Sequence, residues 1–93
     1  MDELLLSKIR LSIVTELLAE DWKTFTELQK SLDVTVGNLT THLDKLVDAD
    51  YVEMNKRFIG RRPQTRYRLT RRGSSALLEH VDWLNSVVAK TKR

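Results

Sequence analysis

The sequence contains no cysteine, so neither a disulfide framework nor a thiolate metal site is open to it. A cytoplasmic location is the natural expectation. Long apolar runs are missing too: Leu4 to Leu6 follows Asp2 and Glu3 rather than a basic region, and Lys8 and Arg10 soon interrupt it. That pattern is neither a signal peptide nor a membrane span, and no membrane partner is expected. The two histidines, His42 and His80, are far apart, and the three glycines form no phosphate-cradling loop. With no catalytic triad in reach either, the chain is not expected to be an enzyme. Its 93 residues suffice for one modest core, so a single domain over 1–93 is expected.

One segment lacks acid altogether. Eight of the sixteen basic residues lie between Lys56 and Arg72, where there is no acid, leaving the other eight against all thirteen acids. The mild net charge of +3 therefore divides into a basic end and an acidic remainder.

What is present is periodic. Over Asp2 to Ala19, Leu6, Ile9, Ile13 and Leu17 form one helical stripe, and Leu4, Leu11, Val14 and Leu18 add a second beside it. In "TFTELQKSL", Thr26 and Gln29 fit a capping box opening a short helix that runs to about Leu32. Thr35 can then cap a third helix over 36–49, whose apolar face is Val36, Leu39, Leu43 and Leu46. Two helices joined by so tight a turn predict a helix-turn-helix.

Beyond Ala49 the period becomes two. Val52 and Met54 alternate with Glu53, and Thr65, Tyr67 and Leu69 alternate with Arg66 and Arg68, which predicts a hairpin. Its tip, "NKRFIGRRPQ", reads as a loop too long for a two-residue turn, and a wing over 55–64 should project from the body. Phe58 and Tyr67 are expected to pack within the hairpin. Thr70 can cap a last helix over 71–90, with one seam of Leu77, Val81, Leu84 and Val88 and another of Ala76, His80, Trp83 and Val87. Only the "AKTKR" tail reads as frayed.

The terminal helices carry more apolar surface than one core requires. Leu4, Leu11, Val14 and Leu18 of the first, with Ala76, Trp83 and Val87 of the last, are assigned to a two-fold dimer interface. The pattern alone leaves open which stripe faces the core.

The fragments "GNLTTHLDKL" followed at once by "YVE", and "RLTRRG" at the start of the last helix, carry a resemblance. With the order α-α-α-β-β-α, mainly helical with one hairpin, the chain resembles winged-helix transcriptional regulators of the MarR/ArsR superfamily. It is most similar to the small, ligand-poor members. The resemblance implies a homodimer on double-stranded DNA, each third helix in a major groove and each wing along the backbone or in the adjacent minor groove.

That placement gives the third helix a physical logic. Gly37, Asn38, Thr40 and Thr41 are small and uncharged where the helix would approach bases and phosphates, whereas Asp44 and Asp48 come a turn or two later. Gly37 costs the helix about 1 kcal/mol relative to alanine, which suggests a close backbone approach or a turn requirement. Thr35 and Lys45 join the expected contacts, as do Lys56, Arg57, Arg61, Arg62 and Arg66 of the wing. His42, on the flank of the apolar stripe, reads as a partly buried structural histidine. Glu79, His80 and Asp82 have no second ligand set, and Glu79 and His80 are adjacent on different sides of a helix, so no metal and no cofactor are expected. The expected function is sequence-specific regulation of transcription, repression being its simplest form. The alternative is a winged-helix protein-interaction module, which would show no salt-sensitive DNA binding.

Overall fold

The computed structural model describes residues 1–91. After a 3-10 turn at Glu3–Leu6 the elements run α1 (Lys8–Ala19), β1 (Lys23–Thr24), α2 (Phe25–Leu32), α3 (Val36–Asp48), β2 (Val52–Ile59), β3 (Arg62–Leu69) and α4 (Arg71–Thr91). The strands form an antiparallel sheet in the order β1-β3-β2. This is a winged helix, with the expected order plus one short extra strand. Of the tail expected to fray, Ala89 to Thr91 continue α4, while Lys92 and Arg93 lie outside the described residues.

The N-terminal segment is two pieces rather than one helix. Asp2 accepts from the Leu4 N–H, and Ser7, in extended conformation, accepts from the Arg10 N–H to start α1 afresh. This reset shifts the helical phase. Leu5, absent from both expected stripes, is buried, and Leu6 is exposed.

The box that opens α2 also lies two residues earlier than expected. Thr24 accepts from the Glu27 N–H at 3.1 Å, and Glu27 accepts from the Thr24 N–H at 3.0 Å. Pairing of Thr24 with Arg66 in the sheet holds it extended, as an N-cap must be, and that favours it over Thr26. The Thr24 backbone and hydroxyl hydrogen bonds hold the Glu27 carboxyl below its ordinary pKa. Thr35 caps α3 as its sequence position suggests, accepting from the Asn38 N–H at 3.2 Å.

The core gathers Leu5, Ile13, Val14, Leu17, Leu28, Leu39, Leu43, Leu46, Val52, Tyr67 and Leu77, with α1 packed against α2, α3, α4 and β3. Val14 is completely buried within the chain, so its assignment to a dimer interface is corrected: at that position the stripe faces inward. Leu4, Leu11 and Ala76 are half-buried against the same core, Trp83 is half-buried beside His80, and Leu18 and Val87 are the exposed members of that set.

Gly73 lets α4 close on the hairpin. A Cβ there would fall 2.1 Å from the Tyr51 carbonyl oxygen and 2.8 Å from Leu69, so only glycine permits this approach. The junction is tied by Thr70, whose N–H donates to the Tyr51 carbonyl and whose hydroxyl donates to the Asp50 carbonyl and accepts from the Gly73 N–H. From there α4 leaves the body. No described residue beyond His80 is buried, and Leu78, Val81, Leu84, Val87 and Val88 are all exposed.

The hairpin is tighter than expected. Its strands extend to Ile59 and Arg62, so the turn is only Gly60 and Arg61, with Gly60 at φ 64°. A glycine at positive φ in the first turn position is the II′ arrangement that matches strand twist. Pro63 favours a loop by type, but β1 pairs β3 only at Arg66 and Tyr67, leaving Pro63 on a free edge that tolerates a missing N–H.

Candidate nucleic-acid interface

The interface is built from the exposed edge of α3 and the basic hairpin beside it. Leu39, Leu43 and Leu46 are fully buried, which turns Gly37, Thr41, Asp44, Lys45 and Asp48 outward with Asn38 on one flank and Thr40 on the other. Thr35, Gly37, Asn38, Thr40, Thr41 and Lys45 are all exposed.

The chemistry of that edge is more defined than its residue types suggest. Thr40 donates to the Val36 carbonyl at 2.8 Å and Thr41 to the Gly37 carbonyl at 3.0 Å, so both hydroxyl protons are spent on the helix itself. What they retain is an acceptor oxygen and a methyl group. Asn38 contributes only its backbone N–H to the cap, so its side-chain amide still offers both donors and acceptor. Gly37 has open space where a Cβ would stand and no positive φ, so the free chain imposes no need for glycine there.

Asp44, exposed on the outward edge of α3, lies near enough to the hairpin for its charge to be felt there. The Tyr67 phenol is held above its ordinary pKa by burial first and by Asp44 second. The acid stands in the third turn of α3, past the uncharged residues that open the helix.

One face of the hairpin is a polar ladder. Arg57 donates to Gln64 at 2.9 Å, Arg66 to Asn55 at 3.0 Å, and Arg68 to Glu53 at 2.9 Å, each across the strand pair. Arg68–Glu53 is the only ion pair among the described residues, so the other wing cations keep their charge unneutralised. Lys56, Arg57, Arg61 and Arg62 are exposed. Arg66 is set apart from them: half-buried, its guanidinium lies 4.2 Å from the centroid of Trp22, and that of Arg68 lies 4.6 Å from the same ring. Two guanidiniums stacked on one indole fix the base of the wing against the α1–β1 turn. Sequence reasoning missed this role of Trp22; a lone tryptophan in the charged stretch "EDWK" was its only signal.

The packing expectation for Phe58 is corrected. Tyr67 is buried at the base, but Phe58 is 73% exposed near the tip, because the hairpin outruns the body.

Behind α3, Arg10 joins the helix to the N-terminal turn. Its Nε donates to the Leu4 carbonyl at 2.7 Å and its Nη1 lies 2.9 Å from Nδ1 of His42. Because arginine can only donate, Nδ1 must accept, and the neutral His42 ring carries its proton on Nε2. Burial, then the charges of Arg10 and Lys45, hold the His42 pKa below its ordinary value. His42 is structural, as its position on the flank suggested. No group of three or more His, Asp or Glu side chains among the described residues could hold a metal. No helix among them is long and apolar enough to cross a membrane.

A helix-turn-helix followed by a basic two-stranded wing defines a winged helix-turn-helix protein. The family model described as the winged helix DNA-binding domain matches residues 9–88, and the chain belongs to that family. It is 32% identical over 75 residues to an uncharacterized protein of Methanocaldococcus jannaschii, covering 81% of this chain and 82% of that one. Among solved structures, a transcriptional regulator homologue from Pyrococcus horikoshii superposes with a TM-score of 0.90 at 29% identity, covering 99% of this chain and 91% of its own. A mutant of E. coli MarR complexed with operator DNA gives 0.67 at 28% identity, covering 80% of this chain and 51% of its own. Family and fold are those of DNA-binding transcriptional regulators, not of enzymes.

Proposed function

We propose that the protein is a cytoplasmic, sequence-specific regulator that binds double-stranded DNA as a homodimer and represses transcription by occluding a promoter. The first half of α3 enters a major groove, where Asn38, Thr40 and Thr41 meet base edges while Thr35, Gly37 and Lys45 meet phosphates and sugars. Lys56, Arg57, Arg61 and Arg62 lie along the backbone or in the neighbouring minor groove, and Arg66 holds the wing's base. Dimerisation uses the apolar surface of α4 beyond His80, with Leu18 and Trp83 at its margin.

The observation that carries this reading is the contrast along α3. The outward edge of its first two turns is exposed, uncharged and small, its reverse is buried at Leu39, Leu43 and Leu46, though not at Val36, which is 56% exposed where the apolar stripe had it facing the core, and an unneutralised basic wing stands beside them. Positive partial charge at the N-terminus of α3 adds to the attraction for phosphate.

The test is selection of bound fragments from random duplex DNA, followed by salt titration of variants on the selected site. Replacing Arg61 and Arg62 by alanine should weaken binding to every duplex and flatten log affinity against log salt by about 0.9 for each phosphate no longer neutralised. Asn38→Ala should cost about 1–3 kcal/mol on the selected site, leave the slope nearly unchanged and hardly affect random DNA. Equal losses on all sequences from both variants would show that α3 does not read bases.

A further inference from the structure

Phe58 is the most exposed large hydrophobic side chain among the described residues, at 73%, and the adjacent Ile59 is 50% exposed. Phe58 stands directly opposite Pro63 across the hairpin, and Ile59 opposite Arg62. The outer end of the wing is therefore an apolar point set among four exposed cations, Lys56, Arg57, Arg61 and Arg62. Nothing in the fold of the chain accounts for it.

We infer that this point is a wedge, with Phe58 as its leading side chain and Pro63 as its backing, which enters the minor groove next to the major groove occupied by α3 and bends the duplex. The inference rests on the reading of α3 as the recognition helix. Strand alternation places Val52, Met54, Lys56 and Phe58 on one face of β2, and Val52 is buried where β2 packs against α3. Phe58 thus projects on the same side of the hairpin as the recognition helix. From Val52 to Phe58 is six residues, about 20 Å of strand. A major groove and the next minor groove are about half of a 34–36 Å turn apart, or roughly 17 Å. The wing reaches one groove from the other with its tip, not its middle.

Shape and charge select the occupant. The tip is a two-residue turn with Phe58 just behind it, so what a groove about 6 Å wide has to admit is one flat ring rather than the two-stranded ribbon. From Lys56 to Arg72 there is no acid to repel phosphate. A minor groove offers phosphates at its rims for the four cations and apolar sugar walls and base steps within for Phe58, whereas an apolar protein surface would have to desolvate those cations without return. Apolar side chains inserted at such a step unstack it partly and kink the duplex toward the major groove.

The experiment uses the full chain, a duplex carrying its selected site, and fluorophores on the two duplex ends to report bending by energy transfer. Phe58→Ala should bind about tenfold more weakly, with an unchanged salt slope, and should leave the bound duplex straighter. Phe58→Leu should recover most of both. An unfolding curve for Phe58→Ala that matches the wild type will show that the fold is untouched, as expected for a side chain outside the core. Wild-type affinity and wild-type bending in Phe58→Ala would overturn the wedge and leave the tip to an acidic protein partner. If the wild-type chain binds no duplex, the DNA-binding reading falls first and the wedge with it, so the two failures are distinct.

Discussion

Gly37→Ala separates what the fold wants from what the function wants. In the free chain a Cβ at position 37 meets nothing within 4 Å, and the backbone is not in a conformation reserved for glycine. Alanine should therefore stabilise α3 by about 0.5–1 kcal/mol, through helix propensity and a less flexible unfolded chain. With a urea m-value of about 1.5 kcal/mol per molar, the unfolding midpoint should rise by roughly 0.3–0.7 M at unchanged slope. On DNA the sign reverses. If the backbone at Gly37 lies against phosphate or base edges, the added methyl holds the helix off, and affinity for the selected duplex should fall about tenfold per protomer, on the order of a hundredfold for a dimer. The assay is the pair of measurements on one protein: urea unfolding followed by tryptophan fluorescence, and titration of labelled duplex. A variant more stable than wild type that binds equally well would refute close approach as the reason for glycine, and a less stable variant would refute the packing argument.

Other perturbations probe other links. Gly73→Ala should destabilise by about 3 kcal/mol, or more if the hairpin must move, since its Cβ would collide with the Tyr51 carbonyl; thermal unfolding should show a midpoint at least roughly 10 °C lower, and an unchanged midpoint would contradict the close approach. Leu84→Glu, on the exposed part of α4, should convert the expected dimer into a folded monomer by light scattering, because Leu84 contributes nothing to the buried core; a wild-type chain already monomeric at micromolar concentration would refute the interface. His42 should make stability fall with acid. Its folded pKa lies below the ordinary 6.5, so the unfolded chain takes up the proton first, and stability is full above about pH 6.5 and declines as pH drops through the folded pKa. In His42→Gln the urea midpoint should lose that part of its pH dependence between about 7.5 and 5.

The sequence made the helix-turn-helix legible because two signals agreed there: Leu39, Leu43 and Leu46 at helical spacing, and a threonine at the position that caps α3. The alternating residues of the hairpin base, Val52 with Tyr67, were equally plain. Where signals competed, local pattern could not decide. Thr24 with Glu27 and Thr26 with Gln29 both satisfy a capping box, and the choice came from pairing of Thr24 with a strand distant in the chain. Leu11 and Val14 belong to one stripe by arithmetic, yet Val14 is fully buried and Leu11 only half-buried. Gly60 and Pro63 read as loop residues individually; in place, one opens the two-residue turn and the other lies within the strand that follows it.

The candidate site shows the same division between composition and arrangement. The eight cations of the segment from Lys56 to Arg72 were countable, but charge alone gave them equal standing. Cross-strand partners and Trp22 sort them: Arg66 and Arg68 brace the wing's base, Arg57 is tethered to Gln64, and Arg61 occupies the turn itself. This order predicts that Trp22→Ala acts on DNA binding through geometry. It removes no charge, so the salt slope should persist, yet Arg66 and Arg68 lose the surface that aligns them and the wing gains freedom at its base. Affinity should fall several-fold and Trp22→Phe should recover much of it, since a phenyl ring still offers a face to the guanidiniums. A Trp22→Ala chain that folds and binds DNA as tightly as the wild type would show that the indole packs there without directing the wing.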